Sequence, residues 1–201
     1  MTSVHAPRNQ VESMPWLRIS AVAAPVLLLL YGLLRLVDGV DGEHGPGLAW
    51  DIGHTMFFVA FLLFGVMVVG LRQMVPATTR GRLVAAGTAT VAGLFGVAAF
   101  LWVILGDLSE PIREQAPLPD PLYAVGPLLF QFGVLTLLVQ LVVLRPRRLP
   151  PWSPVLVFLG FVQIAVNLDL LPLGALLILA GLAPLARQSG PSAQPAEEPP
   201  V

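Results

Sequence analysis

The chain has 201 residues, of which 56% are hydrophobic and 11% are charged, and its formal net charge at pH 7 is −1. Because an ordinary soluble domain is about 25% charged, this composition argues against a water-soluble fold, and the small net charge gives no general attraction to nucleic acid. The chain has no cysteine, which excludes disulfides, thiolate metal sites and thiol catalysis.

The first long apolar run lies at 17–37 and follows a short polar segment. It is longer than the hydrophobic region of a signal peptide, which is usually about 7–15 residues, and no small-residue cleavage site follows it. We therefore predict an uncleaved first transmembrane span. The two ends of the chain, 1–14 and 188–201, offer little to bury, and we expect both to be disordered.

A helix needs about 20 mostly apolar residues to cross a hydrocarbon core of roughly 30 Å. Four segments meet this length, at 17–37, 52–71, 83–105 and 122–144. The third is rich in small residues, with Ala85, Ala89 and Gly93 on one face and Ala92 and Gly96 on a second. Small residues let membrane helices approach closely, so we expect the third span to be a central helix with close neighbours.

The fifth apolar region, 152–187, is long for one span and short for two. Asp169 lies near its middle, in the sequence NLDLLP. An uncompensated carboxylate at the centre of a lipid-facing helix costs about 2.5–3.5 kcal/mol on insertion scales, and a turn at Asp169 avoids this cost. We therefore predict two short helices, at 152–168 and 171–186, and six spans in all. A single helix here, with five spans in all, is the alternative.

Arginines and acids separate to opposite ends of the predicted spans. The arginines before the first span and in the loops after the second and fourth are Arg8, Arg18, Arg72, Arg80, Arg82, Arg145, Arg147 and Arg148. The other loops carry acids and one arginine, Arg113. Because basic loops stay cytoplasmic, we predict a plasma-membrane protein with a cytoplasmic N-terminus. Arg145, Arg147 and Arg148 are predicted to bind anionic headgroups, with about 1 kcal/mol for each arginine near the surface.

Four amide side chains lie in or near the predicted spans: Gln131, Gln140, Gln163 and Asn167. Gln163 and Asn167 are four residues apart and face the same way on a helix, whereas Gln131 and Gln140 point to opposite sides. One hypothesis is hydrogen bonding between helices, worth about 0.6 kcal/mol on average. The other is a polar pathway through the bundle.

The polar stretch DGEHGPGLAWDIGHTMFF, at 41–58, leads into the second span. Asp51 stands just before that span and is a good N-cap residue, and His54 follows three residues later on the same side. This pattern is typical of a capped helix start with a histidine in the headgroup zone. It also fits a proton-sensing site, or a metal site if the loop brings His44 back to His54 and Asp51, since zinc usually takes three or four protein ligands.

Arg35 lies close to the outer end of the first span. Its side chain is long enough to reach the headgroups, or it pairs with Asp38, Asp107 or Asp169, which share that predicted level. The candidate polar cluster at the outer end therefore comprises Arg35, Asp38, Asp51, His54, Asp107 and Asp169. Bis-histidine haem ligation needs paired histidines inside facing helices, which this sequence lacks, and we predict no cofactor.

The fold class predicted for 15–187 is all-α, a polytopic transmembrane helical bundle. All eleven basic residues are arginine, and Ala, Gly, Pro, Val and Leu are abundant. In this general character the chain resembles small multi-pass integral membrane proteins of high-GC actinobacteria. The resemblance implies a bacterial membrane protein and assigns no functional residue.

Three classes of function stay open at this point. The first is a non-enzymatic accessory, sensor or assembly protein, which the lack of a catalytic constellation favours. The second is a small-solute, ion or proton transporter component that uses the intramembrane amides and the outer polar cluster. The third is a membrane enzyme with an outward-facing site at His54, Asp51 and His44. The sequence names no protein partner.

Overall fold

The computed structural model describes residues 14–187 except 42–44, 46, 77 and 146. In that part of the chain there are seven α-helices and no strand, so the predicted all-helical class is confirmed. The helices are α1 (Pro15–Asp38), α2 (Leu48–Met74), α3 (Arg80–Leu108), α4 (Glu110–Gln115), α5 (Asp120–Val143), α6 (Trp152–Val166) and α7 (Leu171–Ala186). One-turn 3-10 helices lie at Gly39–Asp41 and Leu168–Leu170. The predicted disordered ends, apart from residue 14, lie outside the described residues.

Five of the described segments are long and apolar enough to cross a bilayer: α1, α2, α3, α5 and Leu168–Ala186. Many large apolar side chains on their outer faces are exposed, including Val91 at 70% and Leu128 at 64%. Such surfaces are stable in lipid and not in water. The chain is therefore a membrane-embedded helical protein.

The six long helices form a closed ring. Going round it, the neighbours are α1, α2, α3, α5, α6 and α7, and α7 returns to α1. Helix α2 also touches α5 across the ring. The expectation that the third span is the central helix is wrong, because α3 packs only on α2, α5 and the short α4. Its small residues instead set a very close approach to one neighbour, α5.

Phenyl rings fill the centre of the ring. Phe61 and Phe64 of α2, Phe100 of α3, Phe130 of α5 and Phe161 of α6 form one edge-to-face and tilted cluster, with the Phe61 and Phe100 centroids 4.0 Å apart. Phe64 and Phe130 are almost completely buried. Aromatic pairs in this geometry contribute about 0.5–1.5 kcal/mol beyond the area that they bury. The middle of the bundle is therefore a packed core.

Successive long helices run in opposite directions, which gives the bundle two chemically different ends. Arg18 Nε donates to the carbonyl of Ala186 at 3.0 Å, so the start of α1 lies beside the end of α7. Trp50 Nε1 donates to the carbonyl of Asp107 at 3.3 Å, so the start of α2 lies beside the end of α3. We call these the arginine end, with Arg18, Arg72, Arg80, Arg82, Arg145, Arg147, Arg148 and Arg187, and the carboxylate end, with Asp38, Asp51, Asp107 and Asp169.

The fifth apolar region is divided into two helices, as predicted, but α6 ends at Val166, two residues before the predicted end at Leu168, and α7 begins at Leu171. The two helices pack backbone to backbone, since a Cβ on Gly160 would lie 2.6 Å from the carbonyl oxygen of Gly174. Helix α6 has 15 residues, about 22 Å at a rise of 1.5 Å per residue, which is shorter than a hydrocarbon core of roughly 30 Å. The helix pair is present, and the count of six spans stays a prediction.

Candidate functional site at the carboxylate end

Three helix ends meet at the carboxylate end and bring a set of polar side chains together. Tyr31, Arg35 and Asp38 follow one another at spacings of four and three residues, which places them on one face of α1. Trp50 and His54, four residues apart, face them from the first turns of α2. These five side chains and Ala49 line a cavity with about 10 Å³ of free space, which is room for about one water molecule.

His54 is the only histidine within the described residues, and it is 3% exposed. Its Nδ1 lies 2.9 Å from the carbonyl oxygen of Trp50, one turn earlier in α2. A carbonyl oxygen only accepts hydrogen bonds, so Nδ1 must carry a hydrogen and donate it. This assigns the tautomer of the neutral ring from its contacts. The other nitrogen, Nε2, is then an acceptor in the neutral ring and a donor in the charged ring.

Nε2 of His54 lies between a hydroxyl, which can donate a hydrogen bond, and a carboxylate, which only accepts. The hydroxyl of Tyr31 is 3.5 Å away, and Oδ2 of Asp107 is 3.7 Å away. Both distances are longer than a formed hydrogen bond to an imidazole, so Nε2 is committed to neither. A neutral ring can accept from the Tyr31 hydroxyl, whereas a charged ring can donate to the Asp107 carboxylate. The Asp107 side chain is 35% exposed and connects the site to water.

Aromatic side chains hold the histidine in this position. The Trp50 and His54 rings have centroids 3.9 Å apart, and Tyr31 stacks on Phe57 at 4.3 Å with an angle of 7° between the rings. The indole of Trp50 also donates to the carbonyl of Asp107. Ring stacking and a hydrogen bond to the next helix leave His54 little rotational freedom. The choice of partner at Nε2 can therefore follow from its protonation.

Arg35 lines the same cavity as Asp38 and His54. Its Nε is buried and has no hydrogen-bond partner among the described residues. Tyr31 lies within electrostatic range of Arg35, Asp38 and Asp107. Asp169, by contrast, is exposed in the turn between α6 and α7 and does not line this cavity. Of the acids considered as partners of Arg35, Asp38 and Asp107 lie in this cluster.

The interpretation of Asp51 as an N-cap is wrong. Helix α2 begins one turn earlier than predicted, at Leu48, and its N-cap is Gly47. Asp51 therefore lies inside the first turn and is exposed, and its carbonyl accepts from Thr55 Oγ1 at 2.8 Å. His54 is turned into the bundle and meets Asp107 instead. The acidic partner of His54 comes from a residue more than fifty positions away in sequence.

The metal hypothesis is supported by no arrangement in the described part of the chain. Among those residues, no group of three or more histidines and acids is placed to hold a metal ion. His44, the remaining candidate ligand, lies outside the described residues. The hypothesis that His44, His54 and Asp51 bind a metal together therefore stays a prediction.

The four amides named in the sequence analysis have different surroundings. Asn167 is exposed and accepts through Oδ1 from the backbone N–H of Asp169 at 2.9 Å, which caps the turn between α6 and α7. Gln131 is half-buried. Oε1 of Gln163 and both amide atoms of Gln140 are buried without a hydrogen-bond partner among the described residues. Gln140 lies near the arginine end of α5, far along the bundle from Asn167.

Sequence reasoning missed Tyr31 and Trp50 as members of the site. The available signal was their spacing, since each lies four residues before a charged or titratable residue, Arg35 and His54, on the same helix face. No family model, curated protein or solved structure matches this chain. The geometry around His54 is therefore the basis for inferring function.

Proposed function

We propose that the protein is a non-enzymatic, multi-pass plasma-membrane sensor that responds to protons at its carboxylate end. The observation that carries this proposal is the position of His54 Nε2, 3.5 Å from the Tyr31 hydroxyl and 3.7 Å from the Asp107 carboxylate. Histidine is the side chain whose ordinary charge change falls between about pH 5 and 8. A proton on Nε2 therefore exchanges one partner for the other.

The proposed orientation places the carboxylate end outside the cell and both chain ends in the cytoplasm, with six passes. The arginines gathered at the opposite end support it, because basic segments stay cytoplasmic. Arg145, Arg147 and Arg148, which follow α5, would then contact the anionic headgroups of the inner leaflet. In this orientation His54 responds to the pH outside the cell.

The response begins with a change in hydrogen bonding around one ring. In the neutral state the Tyr31 hydroxyl donates to Nε2. In the charged state Nε2 donates to Asp107, and the Tyr31 hydroxyl, whose oxygen can accept from Arg35, donates to the Asp38 carboxylate instead. Within the described part of the chain, these groups and Arg113 behind Asp107 are the charged and titratable groups that face His54 from α1, α3 and α4. One proton thus changes the partner of a group on each of two neighbouring helices.

Helix α4 is the element best placed to carry the response outward. Asp107 lies in the last turn of α3, and Ser109 is at once the C-cap of α3 and the N-cap of α4. The indole of Trp102 donates to the carbonyl of Ala116 at 2.9 Å, which ties the far end of α4 back to α3. A shift of Asp107 toward His54 therefore displaces α4, whose polar side chains lie on the surface of the bundle.

The other two function classes have less support from the described geometry. A transporter needs a hydrated path between the carboxylate end and the intramembrane amides, and the phenyl cluster occupies the centre of the ring. An enzyme needs a nucleophile or a metal beside His54, and the described neighbours are a phenol, a carboxylate and an indole. These groups are suited to a hydrogen bond at His54 Nε2 that changes its partner on protonation.

The proposal is tested by following α4 while the pH changes. Because the natural chain has no cysteine, Glu114→Cys in α4 takes a single environment-sensitive fluorophore. The background carries His5→Gln and His44→Gln, so that His54 is the only histidine left. In lipid nanodiscs we expect one sigmoidal change in fluorescence between about pH 5 and 8, and its loss in His54→Gln.

A matched label at the arginine end, Thr79→Cys, controls for general effects of pH and should stay constant over the same range. A pH response that survives His54→Gln, or one that is equal at Glu114→Cys and Thr79→Cys, would refute the sensor. Proton-dependent uptake of a solute into vesicles that stops in His54→Gln would support the transporter class instead.

A further inference from the structure

A groove lies between α3 and α5 at the arginine end of the bundle, remote from His54. The two helices are closest in their middle, where a Cβ on Gly133 would lie 2.5 Å from Gly93 N and one on Gly96 would lie 2.5 Å from Phe130 N. Toward the arginine end they separate and leave about 520 Å³ of open space. Gly81 and Ala85, both exposed, form part of its wall.

The groove is apolar along most of its length but contains one amide that lacks a partner. Most of its exposed lining is hydrocarbon. Gln140 also lines it, and both amide atoms of Gln140 are buried with no hydrogen bond among the described residues. No bulk water is available inside a bilayer, so an unsatisfied polar group there costs several kcal/mol. A molecule that occupies the groove and carries oxygen atoms at this depth would remove that cost.

The mouth of the groove is positively charged. Arg82 lines it and donates from Nη1 to Thr78 Oγ1 at 3.1 Å, which leaves further guanidinium donors, since arginine has five. Arg82 also lies in the first turn of α3, where the helix dipole favours negative charge. These features favour a ligand that has an anionic group at the mouth of the groove and a hydrocarbon chain inside it.

We infer that this groove binds one anionic phospholipid of the adjacent leaflet. The phosphate lies at Arg82, an acyl chain follows the wall past Ala85, and a glycerol-ester oxygen accepts from the Gln140 amide. A phospholipid carries all three of these features, an anionic phosphate, ester oxygens and an apolar chain. Its chain fills a space that is open to the lipid side of the ring.

The test is the number of lipids retained by the purified full-length protein, measured by native mass spectrometry from detergent. The probes are phosphatidylglycerol, which is anionic, and phosphatidylcholine, which has no net charge. Ala85→Phe fills the groove with a ring, and its control Val84→Phe adds the same ring at a neighbouring position that is 58% exposed. Arg82→Gln removes the charge at the mouth, and its control Arg80→Gln removes an exposed arginine that does not line the groove.

We expect one phosphatidylglycerol per chain in the natural protein, and at least a fivefold loss of occupancy in Ala85→Phe and Arg82→Gln. Both controls should stay within twofold of the natural protein. Equal retention of the two lipids, or equal loss in variant and control, would overturn the inference. So would a dimer that Ala85→Phe converts to a monomer, because a second copy would then occupy the groove. If Ala85→Phe fails to fold, the two arginine variants decide.

Discussion

At the scale of single residues, His54 is held so that its protonation decides its partner. The neutral ring is stabilised by a donor, the Tyr31 hydroxyl, and the charged ring by an anion, Asp107. Each neighbour therefore stabilises a different protonation form of the His54 ring. Removing one neighbour leaves the other in place, and the two effects can be separated.

Tyr31→Phe keeps the ring that stacks on Phe57 and removes only the hydroxyl. The neutral form loses its donor, so the midpoint of the α4 response should move to higher pH. Asp107→Asn removes the anion that stabilises the charged form, so its midpoint should move to lower pH. A hydrogen bond contributes about 1 kcal/mol and one pH unit corresponds to about 1.4 kcal/mol, so we expect shifts of about half to one unit.

The measurement is the same fluorescence titration of Glu114→Cys in the single-histidine background. Asp51→Asn is the matched control, because Asp51 is an exposed acid of α2 that lies outside the His54 cavity, and its midpoint should not move. Shifts of the same sign in Tyr31→Phe and Asp107→Asn would show that His54 is not balanced between the two groups.

Sequence reasoning found several of these residues but not their pairing. His54 and Asp107 both stood out as polar residues next to apolar runs. Asp51 was assigned to His54 because the two are close in sequence, but Asp51 is exposed and does not line the cavity. The contact between His54 and Asp107 depends on how α2 packs on α3, and no local spacing encodes that.

At the scale of helices, the closest packing is the contact between α3 and α5. The backbones approach until a side chain on Gly133 has no room, since a Cβ there would lie 2.5 Å from Gly93 N. Membrane helices associate through such close packing because lipid supplies no hydrophobic drive between them. Glycine at this position is therefore a requirement of the packing.

Gly133→Ala should lower the thermal stability of the purified protein, with a cost of about 1–3 kcal/mol, which is typical of overpacking. Gly87→Ala is the matched control, because Gly87 lies on the same helix pair and a Cβ there would meet nothing within 4 Å. That variant should be neutral or more stable by up to about 1 kcal/mol, since alanine favours helix over glycine. Equal melting temperatures for the two variants in one detergent would contradict the packing argument.

The long helices could be predicted from apolar length, and so could a break between α6 and α7, because the carboxylate of Asp169 lies in the middle of that apolar run. Helix α4 was missed because Glu110–Gln115 is short and polar, with no apolar stripe to indicate it. The small-residue pattern of α3 correctly indicated close packing. It could not indicate which neighbour α3 touches, and so the expectation of a central helix failed.

At the scale of the whole molecule, the ring closes where α7 returns to α1. Arg18 donates to the carbonyl of Ala186 at the arginine end, and a Cβ on Gly32 would lie 2.7 Å from Leu171 Cδ2 near the other end. Helix α7 therefore runs antiparallel to α1 along most of its length. This arrangement returns the chain to the end at which α1 began.

The separation of arginines from carboxylates between the two ends of the bundle predicts the membrane topology. If the arginine end is cytoplasmic and the chain crosses six times, residue 187 and the loop after α2 lie inside the cell, while α4 lies outside. Single cysteines at Glu114, Thr79 and Arg187, each exposed, can be labelled with a membrane-impermeant maleimide. In intact cells we expect labelling of Glu114→Cys alone.

Permeabilised cells provide the control, since all three cysteines should then react to a similar extent. Labelling of Arg187→Cys in intact cells, with Thr79→Cys protected, would mean an odd number of crossings, and it would contradict the contact that places the end of α7 beside the start of α1. Labelling of Thr79→Cys together with Glu114→Cys would place both ends of α3 in one compartment. Helix α3, with 29 residues and a length of about 43 Å, could not then span the bilayer. The membrane orientation that is predicted from the arginines would be refuted.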